Sequence, residues 1–202
     1  MIRFYVVRHG QTLFNQKDRV QGWCDSPLTS LGINQALATG IGLKDIIFHH
    51  AYTSISERAY DTAQAILKDK DTPITIDKRL KEFNFGTLEG EMNEVLFKPF
   101  NGNFELALKT GWVEFGGENE AMVRQRIRSF FNDITPKYSN ENILITTHGL
   151  TALAILKERV PNDFTIDKEI ENCSITIIEY DGEYRLKELG NTFYRDEGLK
   201  YI

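Results

Sequence analysis

The chain has 202 residues, 41% of them hydrophobic, with 24 Lys and Arg against 29 Asp and Glu for a formal net charge of −5. That length and apolar content suffice for one domain with a full core and room for a small cap, and the negative balance argues against a nucleic-acid or acidic-membrane partner. No apolar run approaches the length of a membrane span, and the opening stretch is cut by Arg3 and Arg8 without the pattern of a signal peptide.

The first element is a strand over residues 2–7, where Phe4, Tyr5, Val6 and Val7 form a short apolar run that stops at Arg8-His9-Gly10. A loop follows to about residue 28, then a helix from Thr29 to about Lys44, a strand near 51–53, a helix over 56–69 and a strand over 74–76. A glycine- and aromatic-rich loop around Glu82 leads into an irregular insertion at about 91–117. Beyond it the pattern predicts a helix over 118–136, a strand over 143–147, a helix over 150–159 and strands over 172–180 and 184–190, with Asp181-Gly182 as their hairpin turn. Strands alternating with helices predict an α/β protein, a three-layer α/β/α sandwich with a mainly parallel central sheet. No repeat, linker or low-complexity tract interrupts it.

Two strands end on the same dipeptide. Ile143 to Thr147 runs into His148-Gly149 as the first strand runs into His9-Gly10, and these positions take half of the chain's 4 histidines. Runs of this type read as buried parallel strands, so both imidazoles are expected just past a strand's carboxyl end, where open α/β sheets bind ligands. Were the two strands neighbours, the histidines would share one site. Around the first lie Arg8, Gly10 and Asn15, a cation, a flexible residue and an amide donor suited to the oxygens of a phosphate. Ser56 reads as the N-cap of the 56–69 helix, which puts Arg58 in its first turn beside free N–H groups, a second anion clamp. Glu82, held against Phe83 and Phe85 in a partly apolar context, is suited to give a proton to a leaving group.

Taken together, Arg8-His9-Gly10, Asn15, Gln21-Gly22, Asp25 with Pro27-Leu28-Thr29 and Gly32, Arg58, Glu82 with Phe85-Gly86 and Glu89-Gly90, and Thr147-His148-Gly149 resemble the histidine phosphatase superfamily, also called phosphoglycerate-mutase-like, in family order. The resemblance implies that His9 attacks the phosphoryl group and becomes a phosphohistidine while Arg8, Arg58 and His148 hold the equatorial oxygens. It implies that Glu82 protonates the departing alkoxide and then takes a proton from water, and that Gly10, Asn15, Gln21, Gly22 and Gly149 help bind phosphate. No metal and no cofactor are needed. Glu89 belongs to the structural part of its motif. A small phosphorylated substrate is the expected partner; nucleic acid and membrane are not, and the oligomeric state is not readable.

The insertion carries Phe97, Phe100, Phe104, Trp112 and Phe115, with Lys98 and Lys109. Family members use this stretch as a lid, and a cap with its own aromatic core is the alternative reading. Between Arg79 and Arg124 there is no arginine, which leaves a mutase without the bidentate clamp that retains a bisphosphate. The expectation is therefore a phosphatase, with a phosphoglycerate mutase or sugar-bisphosphate phosphatase next and a non-catalytic phospho-ligand binder last. His49-His50 reads as loop, Cys24 and Cys173 show no metal or redox spacing, and a reduced cytoplasmic location is the default.

Overall fold

Strand β1 (Ile2–Arg8) runs through the middle of the molecule because its side chains are apolar on both sides. Ile2, Phe4 and Val6 enter one hydrophobic cluster, and Tyr5 and Val7 enter a second. This is a computed structural model, and it describes residues 1–160 and 170–202. After β1 come α1 (Leu13–Gln16), α2 (Ser30–Gly42), β2 (His50–Thr53), α3 (Glu57–Ile66) and β3 (Ile74–Ile76). Then follow α4 (Phe104–Thr110), α5 (Glu120–Ile134), β4 (Asn142–Thr147), α6 (Gly149–Arg159), β5 (Ile175–Tyr180), β6 (Tyr184–Asn191) and α7 (Phe193–Gly198).

The strands form one six-stranded sheet in the order β3-β2-β4-β1-β5-β6. The pairs β3–β2, β2–β4 and β4–β1 are parallel, whereas β5 is antiparallel to β1 and β6 to β5. Helices cover both faces. On one, the ends of α2 and α3 bring Leu43, Ile66 and Leu67 against Tyr5, Val7 and Leu144. On the other, Ile127, Phe130, Phe131 and Ile134 of α5 repeat at i, i+3, i+4 and i+7 and pack with α6 on Phe4, Val6 and Ile145. Phe4 meets Phe131 edge to face with centroids 5.2 Å apart. The result is the three-layer α/β/α sandwich expected.

Differences from the expected elements lie at their ends. Thr29 is the N-cap of α2, its hydroxyl accepting from Gly32 N at 3.0 Å, and not the first helical residue. Helix α3 stops at Ile66, and Ser56 stands at its N-cap without a side-chain capping bond. His50 opens β2 and is therefore not in a loop. Strand β5 starts at Ile175 because Cys173 takes φ +55°, a left-handed turn that breaks the extended run. The loop before residue 28 contains α1, whose Thr12 and Asn15 form a reciprocal capping box. Helix α7 has no counterpart in the sequence reading.

The insertion is ordered around Trp112, which is fully buried and surrounded by Phe83, Phe85, Phe97 and Phe100 at centroid distances of 4.7–6.2 Å. Its indole N–H donates to Leu96 O at 3.0 Å. The cap has an aromatic core of its own, and that core is continuous with the α5–α6 face of the sheet. Among the described residues no helix is long and apolar enough to cross a membrane.

Candidate active site

The register of β1 and β4 decides where the two histidines go. Arg8 is paired with Thr147, and His9 N donates to Thr147 O at 2.9 Å, so His9 and His148 leave adjacent strands side by side. Their ring centroids are 5.3 Å apart. Both imidazoles are buried, and burial holds both well below the ordinary histidine value. For His9 the positive charges of Arg58 and Arg8 push further in the same direction, and for His148 so do Arg58, His9 and Arg126. Two neutral rings therefore sit beside guanidinium groups.

The tautomer of His9 follows from its partner. Its Nδ1 lies 2.8 Å from Gly10 O, and a carbonyl oxygen can only accept, so Nδ1 carries the proton and Nε2 has the free lone pair. His148 Nε2 contacts Ser54 Oγ at 2.9 Å, while its buried Nδ1 has no partner among the described residues. Arg8 donates from Nη1 to Ile170 O at 2.5 Å.

Arg58 is fully buried, and its fork is held by the loop before α2. Nη1 pairs with Asp25 Oδ1 at 2.8 Å and donates to Cys24 O at 3.1 Å, Nη2 donates to Gly22 O at 2.9 Å, and the buried Nε has no partner among the described residues. That loop is itself held by Glu89. One carboxylate accepts from Gly22 N, Trp23 N, Cys24 N and Phe85 N at 2.7–3.1 Å. The clamp was not legible in sequence, because its donors are backbone groups that any residue type supplies.

Glu82 departs from the apolar setting expected of it. Its Oε1 accepts from Phe83 N, Thr151 N and Thr151 Oγ1 at 2.9–3.0 Å, and its Oε2 from Leu150 N at 3.0 Å. The aromatic neighbours turn away into the Trp112 cluster. Arg126 of α5 fixes the same segment from behind, donating to Arg79 O at 2.6 Å and Glu82 O at 3.0 Å while pairing with Glu118.

A cavity of about 790 Å³ opens onto Arg8, His9, Asn15, Gln21, Glu82 and Gly149. Asn15 presents Oδ1 to Thr12 N at 3.1 Å and to Asn172 Nδ2 at 3.4 Å. Asn172, which the sequence reading missed, also donates to His9 O at 2.9 Å. Gln21 is engaged with Thr12 and Ser26. Arg58 and His148 lie behind the cavity wall, beside His9.

Gly10 and Gly22 are not on that wall. Gly10 N donates to Thr62 Oγ1 and Gly22 N to Glu89, so neither amide is available to a phosphate. Packing is what demands glycine at both positions. A Cβ would come 2.4 Å from Gly32 O at Gly10 and 2.2 Å from Phe83 O at Gly22. In the cap, Phe97 and Phe104 line the cavity, whereas Lys98 pairs with Glu94 on the surface and Lys109 faces a separate groove. Arg19, also missed from sequence, lines the cavity with Nη1 donating to Gly90 O.

Comparison with known proteins agrees with this geometry. The histidine phosphatase superfamily (branch 1) matches residues 4–192. A probable phosphoglycerate mutase GpmB of Erwinia tasmaniensis is 32% identical over 187 residues, covering 89% of this chain and 86% of that protein. A putative phosphoserine phosphatase 2 of Hydrogenobacter thermophilus is 34% identical over 191 residues, covering 91% and 92%. The crystal structure of a phosphoglycerate mutase from Bacillus anthracis superposes with a TM-score of 0.85 at 31% identity, covering 98% of this chain and 96% of that one. With the match spanning nearly every element described, the chain belongs to the histidine phosphatase superfamily.

Proposed function

We propose that the protein is a phosphomonoesterase that hydrolyses small phosphorylated metabolites through a phosphohistidine on His9. The observation that carries this is the bond from His9 Nδ1 to Gly10 O, which leaves a neutral imidazole with its Nε2 lone pair unprotonated at neutral pH. Nε2 attacks phosphorus in line, the ester P–O bond breaks, and the departing alkoxide takes a proton from the Glu82 carboxyl. Oε2, which accepts one bond where Oε1 accepts three, is the oxygen with room for that proton. Water then attacks phosphorus, its proton goes to the Glu82 carboxylate, and the P–N bond breaks to release phosphate and restore His9. Arg8, Arg58 and His148 supply fixed donors for the charge on the transferring group, a task that needs no metal or other cofactor.

The test is covalent. Rapid quenching at high pH during turnover of p-nitrophenyl phosphate is expected to give one acid-labile phosphoryl group on the peptide holding His9, absent in His9→Ala. Near-normal turnover by His9→Ala overturns the mechanism, and absence of any turnover favours a non-catalytic binder.

One observation favours the mutase as a second reading. Arg19 places a cation on the cavity wall although the cap supplies none there. A coupled assay with 3-phosphoglycerate, with and without 2,3-bisphosphoglycerate, run beside a phosphate-release assay separates the two. Phosphate release faster than isomerisation supports the phosphatase; the reverse supports the mutase.

A further inference from the structure

The cavity at His9 is far larger than a phosphoryl group needs. Its volume of about 790 Å³ lies in the range of pockets that enclose whole organic ligands, about 300–1,000 Å³. The phosphate-binding chemistry occupies one end, and the remainder is defined by α6 and the cap. Gly149, Leu153 and Leu156 line the cavity at spacings i, i+4 and i+7, which puts them on a single face of α6. At 1.5 Å rise per residue that stripe carries an apolar wall about 10 Å from Gly149 to Leu156. Phe97 and Phe104 of the cap and Leu189 of β6 line the same space.

Three of the polar side chains on the cavity, Asp18, Glu94 and Arg19, each have a protein partner, and none belongs to α6. Asp18 accepts from Asn93 at 2.8 Å, Glu94 pairs with Lys98 at 3.1 Å, and Arg19 donates to Gly90 O at 2.6 Å. The Asp18–Asn93 and Arg19–Gly90 bonds tie the loop after α1 to the start of the cap, and the Glu94–Lys98 pair lies within the cap. A hydroxyl-rich alcohol such as a sugar, laid along Leu153, Leu156 and Phe104, loses its water without gaining hydrogen-bond partners, which is unfavourable.

We infer that the substrate class is phosphomonoesters whose alcohol carries an extended alkyl or aryl group, seated between α6 and the cap with its phosphate at His9. This rests on the phosphatase reading for the position of the phosphate, and it assigns specificity to Leu153, Leu156, Phe104 and Leu189. Only Phe104 belongs to the insertion in which the sequence reading sought substrate choice.

An n-alkyl series tests it, because the leaving alcohols differ in length and hardly at all in basicity. Calorimetric affinities of ethyl, butyl and hexyl phosphonate, which cannot be hydrolysed, are expected to rise about fourfold per buried methylene, on the order of 100-fold from ethyl to hexyl. The kcat/KM values of the matching alkyl phosphates follow the same slope. Leu153→Gln and, independently, the half-buried Phe104→Ser reduce that slope; either one suffices should the other fail to fold. A flat or falling affinity series overturns the inference, as does tighter binding of phosphoserine or 3-phosphoglycerate than of the hexyl compound. A rising affinity series with no phosphate released from any ester upholds the pocket and overturns the phosphatase reading instead.

Discussion

Replacing Glu89 by Ala is expected to destabilise the protein and to disarm Arg58 together. The carboxylate accepts four backbone N–H bonds, from Gly22, Trp23, Cys24 and Phe85. A bond to a charged acceptor contributes about 1.5–3 kcal/mol when its loss leaves a buried donor unpaired. Trp23 is 46% exposed and Cys24 half-buried, so water replaces the carboxylate there, whereas Gly22 and Phe85 are buried. Two uncompensated donors set the loss at about 3–6 kcal/mol, read as a lower urea midpoint at unchanged m-value. The same loop offers Gly22 O, Cys24 O and Asp25 to the Arg58 guanidinium. Removing Arg58 itself, by Arg58→Ala, is expected to lower kcat/KM on p-nitrophenyl phosphate on the order of 100-fold, and loosening its support about tenfold. Because both act through one group, the double variant Glu89→Ala/Arg58→Ala should be little worse than Arg58→Ala alone. Additive losses refute this coupling, and a Glu89→Ala midpoint equal to wild type refutes the clamp.

Acid sensitivity follows from the two buried imidazoles. His9 and His148 are held below their unfolded value of about 6.5, so the unfolded chain binds more protons below that pH; stability is full above about pH 6.5 and falls as pH drops toward 5, by up to about 1.4 kcal/mol per pH unit for each ring. Urea midpoints from pH 7 to 5 should show a smaller fall in His148→Gln than in wild type, and equal slopes contradict the assignment. Trp112→Ala empties the centre of the cap and is expected to cost about 3–5 kcal/mol, measured as a thermal shift, with a loss under about 1 kcal/mol showing that the Phe cluster collapses without it. On the proposed mechanism activity survives excess EDTA while vanadate inhibits; loss on chelation that added Mg²⁺ or Zn²⁺ restores contradicts it.

The parts of this site that can be read from sequence are those built from contiguous residues at strand ends. Phe4 to Val7 and Ile143 to Ile145 are apolar on both faces of the sheet, which marks them as parts of buried strands, and the histidine after each strand has one place to go. What remained hidden joins distant segments through groups that carry no sequence label. Asn172 reaches His9 O across 163 positions because Cys173 turns left-handed, and nothing in the preceding residues announces that turn. The setting of Glu82 was misread for a related reason. Its aromatic neighbours are real, but the first turn of α6 arrives with Leu150 N, Thr151 N and the Thr151 hydroxyl, and these decide what the carboxyl touches.

Electrostatics links these pieces. Arg8 and Arg58 bring two permanent positive charges to two imidazoles, and burial keeps both rings neutral. Asp25 answers Arg58 from one side, and Glu82 accepts three bonds from the start of α6 and one from Phe83 N. The side of Arg58 that bears Nε and the Nδ1 of His148 are both buried without partners among the described residues. Unpaired buried polar atoms are unfavourable, and folding tolerates them here because Asp25, Glu89 and the strand pairing fix their neighbours independently. On the proposed reading, a doubly charged phosphoryl group supplies what both atoms lack. On the proposed reading the site therefore stores its transition-state donors in place, at an expense in stability carried by Glu89 and the cap, and needs no reorganisation when the charge develops.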